Sequence, residues 1–111
     1  MKIKTADLQG PALDWAVAKA VGEYKPVAVP AYSTDWSQGG PIIEREEIGT
    51  ERHAPCMSGS EWEARGSITA KGAGYLWAYG PTPLIAAMRC YVASVLGTEV
   101  EVPNKVTGET E

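Results

Sequence analysis

Apolar residues recur along this 111-residue chain with a period that changes from block to block. In GPALDWAVAKAVG, residues 10–22, the side chains of Leu13, Ala16, Val17, Ala20 and Val21 fall on one arc when spaced at about 100° per residue. Pro11 stands at a first helical position and Gly22 just past the last, so the boundaries agree with the period. Trp15 does not fit that arc. It projects nearly opposite Leu13, between Ala18 and Lys19, and so must cover another segment, a second subunit or a ligand. The last apolar block is the clearest. Thr82 predicts an N-cap and Pro83 a first helical position for LIAAMRCYVASVL, which runs to Gly97. Leu84, Ile85, Met88, Tyr91, Val92 and Val95 make a broad apolar arc, and Ala86, Ala87, Cys90, Ala93 and Ser94 a small one. Arg89 is the single charge in those thirteen residues. A surface helix normally keeps a polar face. This one has none, so both sides are expected to pack, the small side against the first helix or a partner.

The middle of the chain changes character repeatedly. EYKPVAVPAY, residues 23–32, holds two prolines among apolar residues and reads as an extended surface connection. In YSTDWSQGGPIIERE, Trp36, Gly40, Ile43 and Glu47 follow a helical spacing, whereas a strand would bury Glu44 and Glu46 beside Ile42 and Ile48. A helix over 35–47 is therefore expected, with a break near Gly39-Gly40-Pro41. Ser33 or Thr34 can cap it and Asp35 suits its first turn. The two glycines leave room for something to approach the backbone. IGTERHA, EWEARGSI and GYLWAYG read as three short strands. In the second, Trp62 and Ala64 alternate with Glu61, Glu63 and Arg65, which predicts an antiparallel meander with one wet face. The first nine residues suggest a single turn capped by Thr5. TEVEVP suggests a last strand or extended arm, and residues 104–111 a frayed acidic tail. The sum is an α+β fold, a small antiparallel sheet of three to four short strands packed with two or three helices, in one domain over 1–111.

Composition narrows the setting. A chain this short buries only about two-thirds of its unfolded surface, so its core is thin and a homodimer would help. Phe is absent while four Trp and five Tyr are present; both types keep a polar tip and suit half-wet surfaces and interfaces. The formal net charge of −4 provides no basic stripe for phosphates, so direct nucleic-acid contact is not expected. MKIKTADLQG lacks the apolar core of a signal peptide and no apolar run reaches the ~18 residues of a membrane span. Two cysteines, Cys56 and Cys90, do not make a disulfide framework, which points to a reducing cytoplasm.

The search for chemistry returns little. His53 is the single histidine, and with Glu51 and Cys56 it lacks the further ligands that a metal site needs. No Walker loop, dinucleotide fingerprint or nucleophile elbow occurs, so neither a catalytic residue, a metal nor a cofactor is expected. The densest group of binding-type side chains lies at Tyr32, Ser33, Thr34, Asp35, Trp36, Gln38, Gly39 and Gly40. Pockets combine aromatic walls with a few convergent polar groups. If the fold adds Trp15 and the helix start at Gly80-Pro81-Thr82, where an anion can be held, these make one aromatic and polar patch.

Three long phrases, TADLQGPALDWAVAKA, YSTDWSQGGPIIERE and YGPTPLIAAMRCYVASVLGTEVEVP, resemble the NinX family of lambdoid phages and prophages. They lie in the same order and cover most of the chain, leaving residues 49–75 without a matching pattern. The resemblance implies a bacteriophage early-region accessory protein acting in the bacterial cytoplasm, and brings no catalytic residue with it. The order of elements also resembles small phage domains built as an α/β/α sandwich, which implies helices on both faces of the sheet. The expected function is non-enzymatic binding of a host or phage protein through Trp and Tyr. The alternative is a small-molecule, nucleotide-like ligand sequestered in phage–host conflict. That reading needs a focused Arg45, Arg52 or Arg89 to offset the negative charge. A structural dimer unit, with the small side of the last helix as its seam, is a further reading.

Overall fold

A computed structural model describes residues 2–22, 29–52, 61–67 and 75–103. Strand β1 (Lys2–Lys4) leads through a short 3-10 turn (Thr5–Asp7) into helix α1 (Gly10–Val21). Helix α2 (Trp36–Arg45) precedes strands β2 (Gly49–Arg52), β3 (Trp62–Ser67) and β4 (Tyr75–Gly80). Helix α3 (Pro83–Leu96) and strand β5 (Glu99–Glu101) follow. The expected α+β class stands, with two antiparallel sheets: β1 pairs with β5, and β2-β3-β4 form a meander. The extended reading of 23–28, His53 and Cys56, and the acidic tail lie outside the described residues.

The boundary residues act as their chemistry requires. Gly22 ends α1 in the left-handed region at φ 87°, where a side chain would be strained. Thr82 Oγ1 caps α3 by accepting from Ile85 N at 3.1 Å. Thr5 is not a cap. Its Oγ1 donates to Gly97 O at 2.6 Å and its N–H to Thr98 O at 2.8 Å, so it pins the start of the chain to the end of α3. Helix α2 runs unbroken through Gly39-Gly40-Pro41. It closes with Glu47 N–H donating to Glu44 O and Ile48 N–H to Ile43 O, the pattern of a Schellman ending. Glu47 holds the left-handed position, φ 52°, that glycine normally fills.

Helix α3 is the centre of the molecule. Residues Ala86 to Val92 are buried without interruption, so both of its sides pack, as its missing polar face predicts. α1 and α2 lie against it, and so do β2, β3 and β4. Two residues of the small side, Ala86 and Cys90, pack on the sheet. A Cβ built on Gly66 would come within 3.0 Å of Cys90 Sγ, and one on Gly80 within 2.9 Å of Ala86 N. Helix and sheet therefore touch at nearly backbone distance. Layers run from sheet to α3 to α1 and α2. Among the described helices, α3 makes the main contact with the three-stranded sheet. The sheet's outer face carries exposed Glu51, Arg65, Trp77 and Tyr79, the wet face that the alternation in EWEARGSI predicts.

Candidate functional site

The stretch from Tyr32 to Gly40 divides into a buried and an exposed part. Asp35 is the N-cap of α2, accepting from Ser37 N at 2.9 Å and Ser37 Oγ at 2.7 Å. These bonds, that from the hydroxyl foremost, hold its carboxyl below the usual range. Ser33 does not cap; its N–H donates to Asp14 Oδ1 of α1 at 2.8 Å. Tyr32, Ser33 and Gly39 are buried, Gly40 is half-buried, and Thr34, Trp36, Gln38 and Thr82 are exposed. Room at Gly39 is taken by the protein itself. A Cβ there would lie 2.6 Å from both Tyr32 O and Leu84 Cδ1, so the glycine lets α2 press onto the first turn of α3.

Trp15 and Trp36 do not share an exposed patch. Trp15 is 6% exposed and belongs to the core, whereas Trp36 is 54% exposed. The off-arc tryptophan covers the protein's own interior, the first of its three options, with the Lys19 ammonium over its ring at 5.3 Å. The structure thus brings Tyr32 and Gly39 to the start of α3 near Thr82, keeps Trp15 inside, and leaves Trp36 on the surface.

A larger concavity lies elsewhere. A cleft of about 720 Å³ separates the Lys4–Asp7 segment from the Leu76–Tyr79 edge of β4, with Arg89 and Ala93 of α3 and Thr98 and Glu99 also lining it. That volume is in the range of small-molecule sites. Trp77 and Tyr79 are 49% and 40% exposed. They share a side of β4 because alternate residues do so, and Arg65 lies over the Trp77 ring at 5.2 Å. Arg89 is only 8% exposed. Its Nε donates to Leu8 O at 2.7 Å and its Nη1 to Tyr79 O at 2.8 Å. Burial makes its charge harder to keep, and nearby Asp7 partly offsets this. Sequence reasoning passed over this site, although two signals were present. One is a lone arginine in a helix with no polar face; the other is the large–small alternation of Trp77, Ala78, Tyr79 and Gly80.

Among the described residues no three His, Cys, Asp or Glu side chains are grouped to hold a metal. Cys90 is a free, buried thiol, pushed up to about 11 by burial, far from the thiolate character that a nucleophile needs. Arg45 is held on the surface of α3, its Nη2 donating to Tyr91 Oη at 3.3 Å and its Nε paired with Glu46 at 2.9 Å. No described helix is long and apolar enough to cross a membrane.

Comparison with known proteins bears on the fold and the family. No curated protein matches the chain. Among solved structures, a phage protein from Bacillus cereus ATCC 14579 is similar, with a TM-score of 0.59 at 16% identity. The match covers 87% of this chain and 94% of the other. At that identity the likeness concerns the fold. The family model described as bacteriophage P22 NinX matches residues 4–95, from the end of β1 to the last turn of α3, and the chain belongs to that bacteriophage protein family.

Proposed function

We propose that this protein acts by binding and not by catalysis, and that its target is a host or phage protein met at the aromatic wall of the β4 cleft. The observation that carries this reading is the placement of Trp77 and Tyr79 on an uncovered sheet face beside a concave surface. Large aromatics at the centre of a contact supply most of the energy of protein association. Trp36 offers a second exposed ring on α2, the element singled out in the sequence. Affinity capture from phage-infected bacterial cells with the intact protein, Trp77→Thr and Trp36→Ala separates the two surfaces. A partner held by the intact protein and by Trp36→Ala but lost by Trp77→Thr supports the cleft. The opposite pattern moves the contact to α2. A partner retained by both variants removes both rings from the function.

One observation favours a second reading, a small-molecule ligand. Arg89 is the focused cation which that reading needs, and it lines a cleft of suitable volume. Arg45 is engaged by Glu46 and Tyr91, and Arg52 ends the exposed strand β2.

A further inference from the structure

Arg89 is an unusual buried cation. A guanidinium has five N–H donors and a charge that burial makes costly unless an anion is near. Two neutral carbonyls, Leu8 O and Tyr79 O, receive Nε and Nη1. They come from different segments, the residue after Asp7 and strand β4, and fix the plane of the group. Nη2 has no hydrogen-bond acceptor among the described residues, and no carboxylate among them lies within ion-pair distance of Arg89. Asp7 acts on it from further away. The charge is thus oriented and largely uncompensated at the lining of an open cleft, with the Trp77 and Tyr79 rings on the adjoining wall.

Resting on the second reading above, we propose that the cleft is a binding site for a small anionic aromatic ligand, a flat ring bearing a carboxylate or phosphate. Arg89 takes the anion through its remaining donors, Nη2 foremost, which the two carbonyl contacts hold in a fixed plane. Trp77 takes the ring by stacking. Lys4 adds a positive charge at the rim, while Asp7 and Glu99 oppose the anion there. All three are exposed and screened by solvent, which weakens them relative to the buried Arg89.

The test uses phenyl phosphate, inorganic phosphate and benzyl alcohol, titrated into the full chain and followed by the NMR signals of the Trp77 indole N–H and the Arg89 Nε–H. Phenyl phosphate is expected to move both signals with a Kd about tenfold below that of inorganic phosphate, since it uses ring and anion together. Benzyl alcohol should move Trp77 alone. Arg89→Lys keeps the charge but loses the fork and should weaken phenyl phosphate about tenfold. Because Arg89 also ties two segments together, that variant can fail to fold. Asp7→Asn decides independently: removing the opposing charge should tighten phenyl phosphate about threefold, whereas an arginine with a purely structural role predicts no change. If benzyl alcohol moves Trp77 but neither phosphate moves Arg89, or if Asp7→Asn leaves the Kd unchanged, the anion assignment is wrong and the cleft remains a binding surface. If no probe moves either signal, the anion site and the small-molecule reading fall together.

Discussion

The two faces of β3 and β4 are built from the same strands and follow opposite rules. Inward, toward α3, stand Ala64, Gly66, Ala78 and Gly80, with Trp62 and Leu76 at the ends of this row. Outward stand Glu63, Arg65, Trp77 and Tyr79. Register makes the pairs explicit: Ala64 opposes Ala78, and Arg65 opposes Trp77. A sheet usually turns its bulky apolar residues toward the core. Here the buried face is small where α3 crosses it, because α3 comes so close that no side chain fits between Gly80 and Ala86, and its bulky residues, Trp62 and Leu76, stand opposite those glycines. The apolar material of the core comes instead from the other side of α3 and from α1. Leu76 alone among the bulky residues of β4 described here turns inward, whereas Trp77 and Tyr79 stand in solvent and border a cleft. The inner face is thus explained by packing alone, and the outer face is not.

The sharpest way to break this contrast is to put bulk where the inner face meets α3 at backbone distance. Gly80→Val would drive methyl groups into the backbone of Ala86, already 2.9 Å from an ideal Cβ. Backbone cannot give way as a flexible side-chain tip can, so a loss of about 3 kcal/mol, at the upper end of overpacking effects, is expected in chemical denaturation. Small loss would mean that α3 can lift off the sheet and that contact distance does not set the pattern. Cys90, at the centre of the same seam, supplies a pH test. Its thiol is raised from 9.0 to about 11 by burial. A raised folded value means that the stabilisation is complete below pH 9 and is lost as pH climbs toward 11. Two units correspond to about 2–3 kcal/mol. The stability difference between the intact protein and Cys90→Ala should shrink by roughly that amount over this window; a constant difference would place the thiol in contact with water. A smaller effect joins the two positions. Gly66→Ala sets a methyl 3.0 Å from Cys90 Sγ and should cost about 1 kcal/mol. In the Cys90→Ala background most of that cost should vanish, a coupling of about 1 kcal/mol in a double-mutant cycle.

How much of this was legible in the sequence follows from the range of the forces involved. Helix ends were readable because Pro11, Gly22, Asp35, Thr82 and Pro83 act on their own neighbours. That α3 packs on both sides was readable from its missing polar face. What α3 packs against was not, because the glycines that receive it, Gly66 and Gly80, lie on strands whose register depends on distant pairing. The same limit governs the site. Trp15 drew notice by leaving its helical arc, but an arc says only that a second surface exists, and the chain's own interior supplied it. Gly39 signalled close approach correctly and could not say that Leu84 would be the visitor. Arg89 and Trp77 are twelve residues apart in sequence and border one cleft only because β4 and α3 pack together. No local pattern contains that juxtaposition.

The outer face yields the smallest change in stability and separates packing from function most directly. Trp77→Thr removes a ring that is half in water and replaces it with a residue that suits a strand. What is lost is the contact with the Arg65 guanidinium, worth about 0.5 kcal/mol at an exposed site, plus a modest hydrophobic contribution. The denaturation midpoint should therefore shift by no more than about 0.5–1 kcal/mol, while binding at the cleft drops sharply. If Trp77→Thr instead costs as much as Gly80→Val, the ring is a structural element, the two faces obey one rule, and the exposed aromatics of β4 lose their claim to be a contact surface. If stability holds and binding falls, the bulk on that face is there for something outside the molecule.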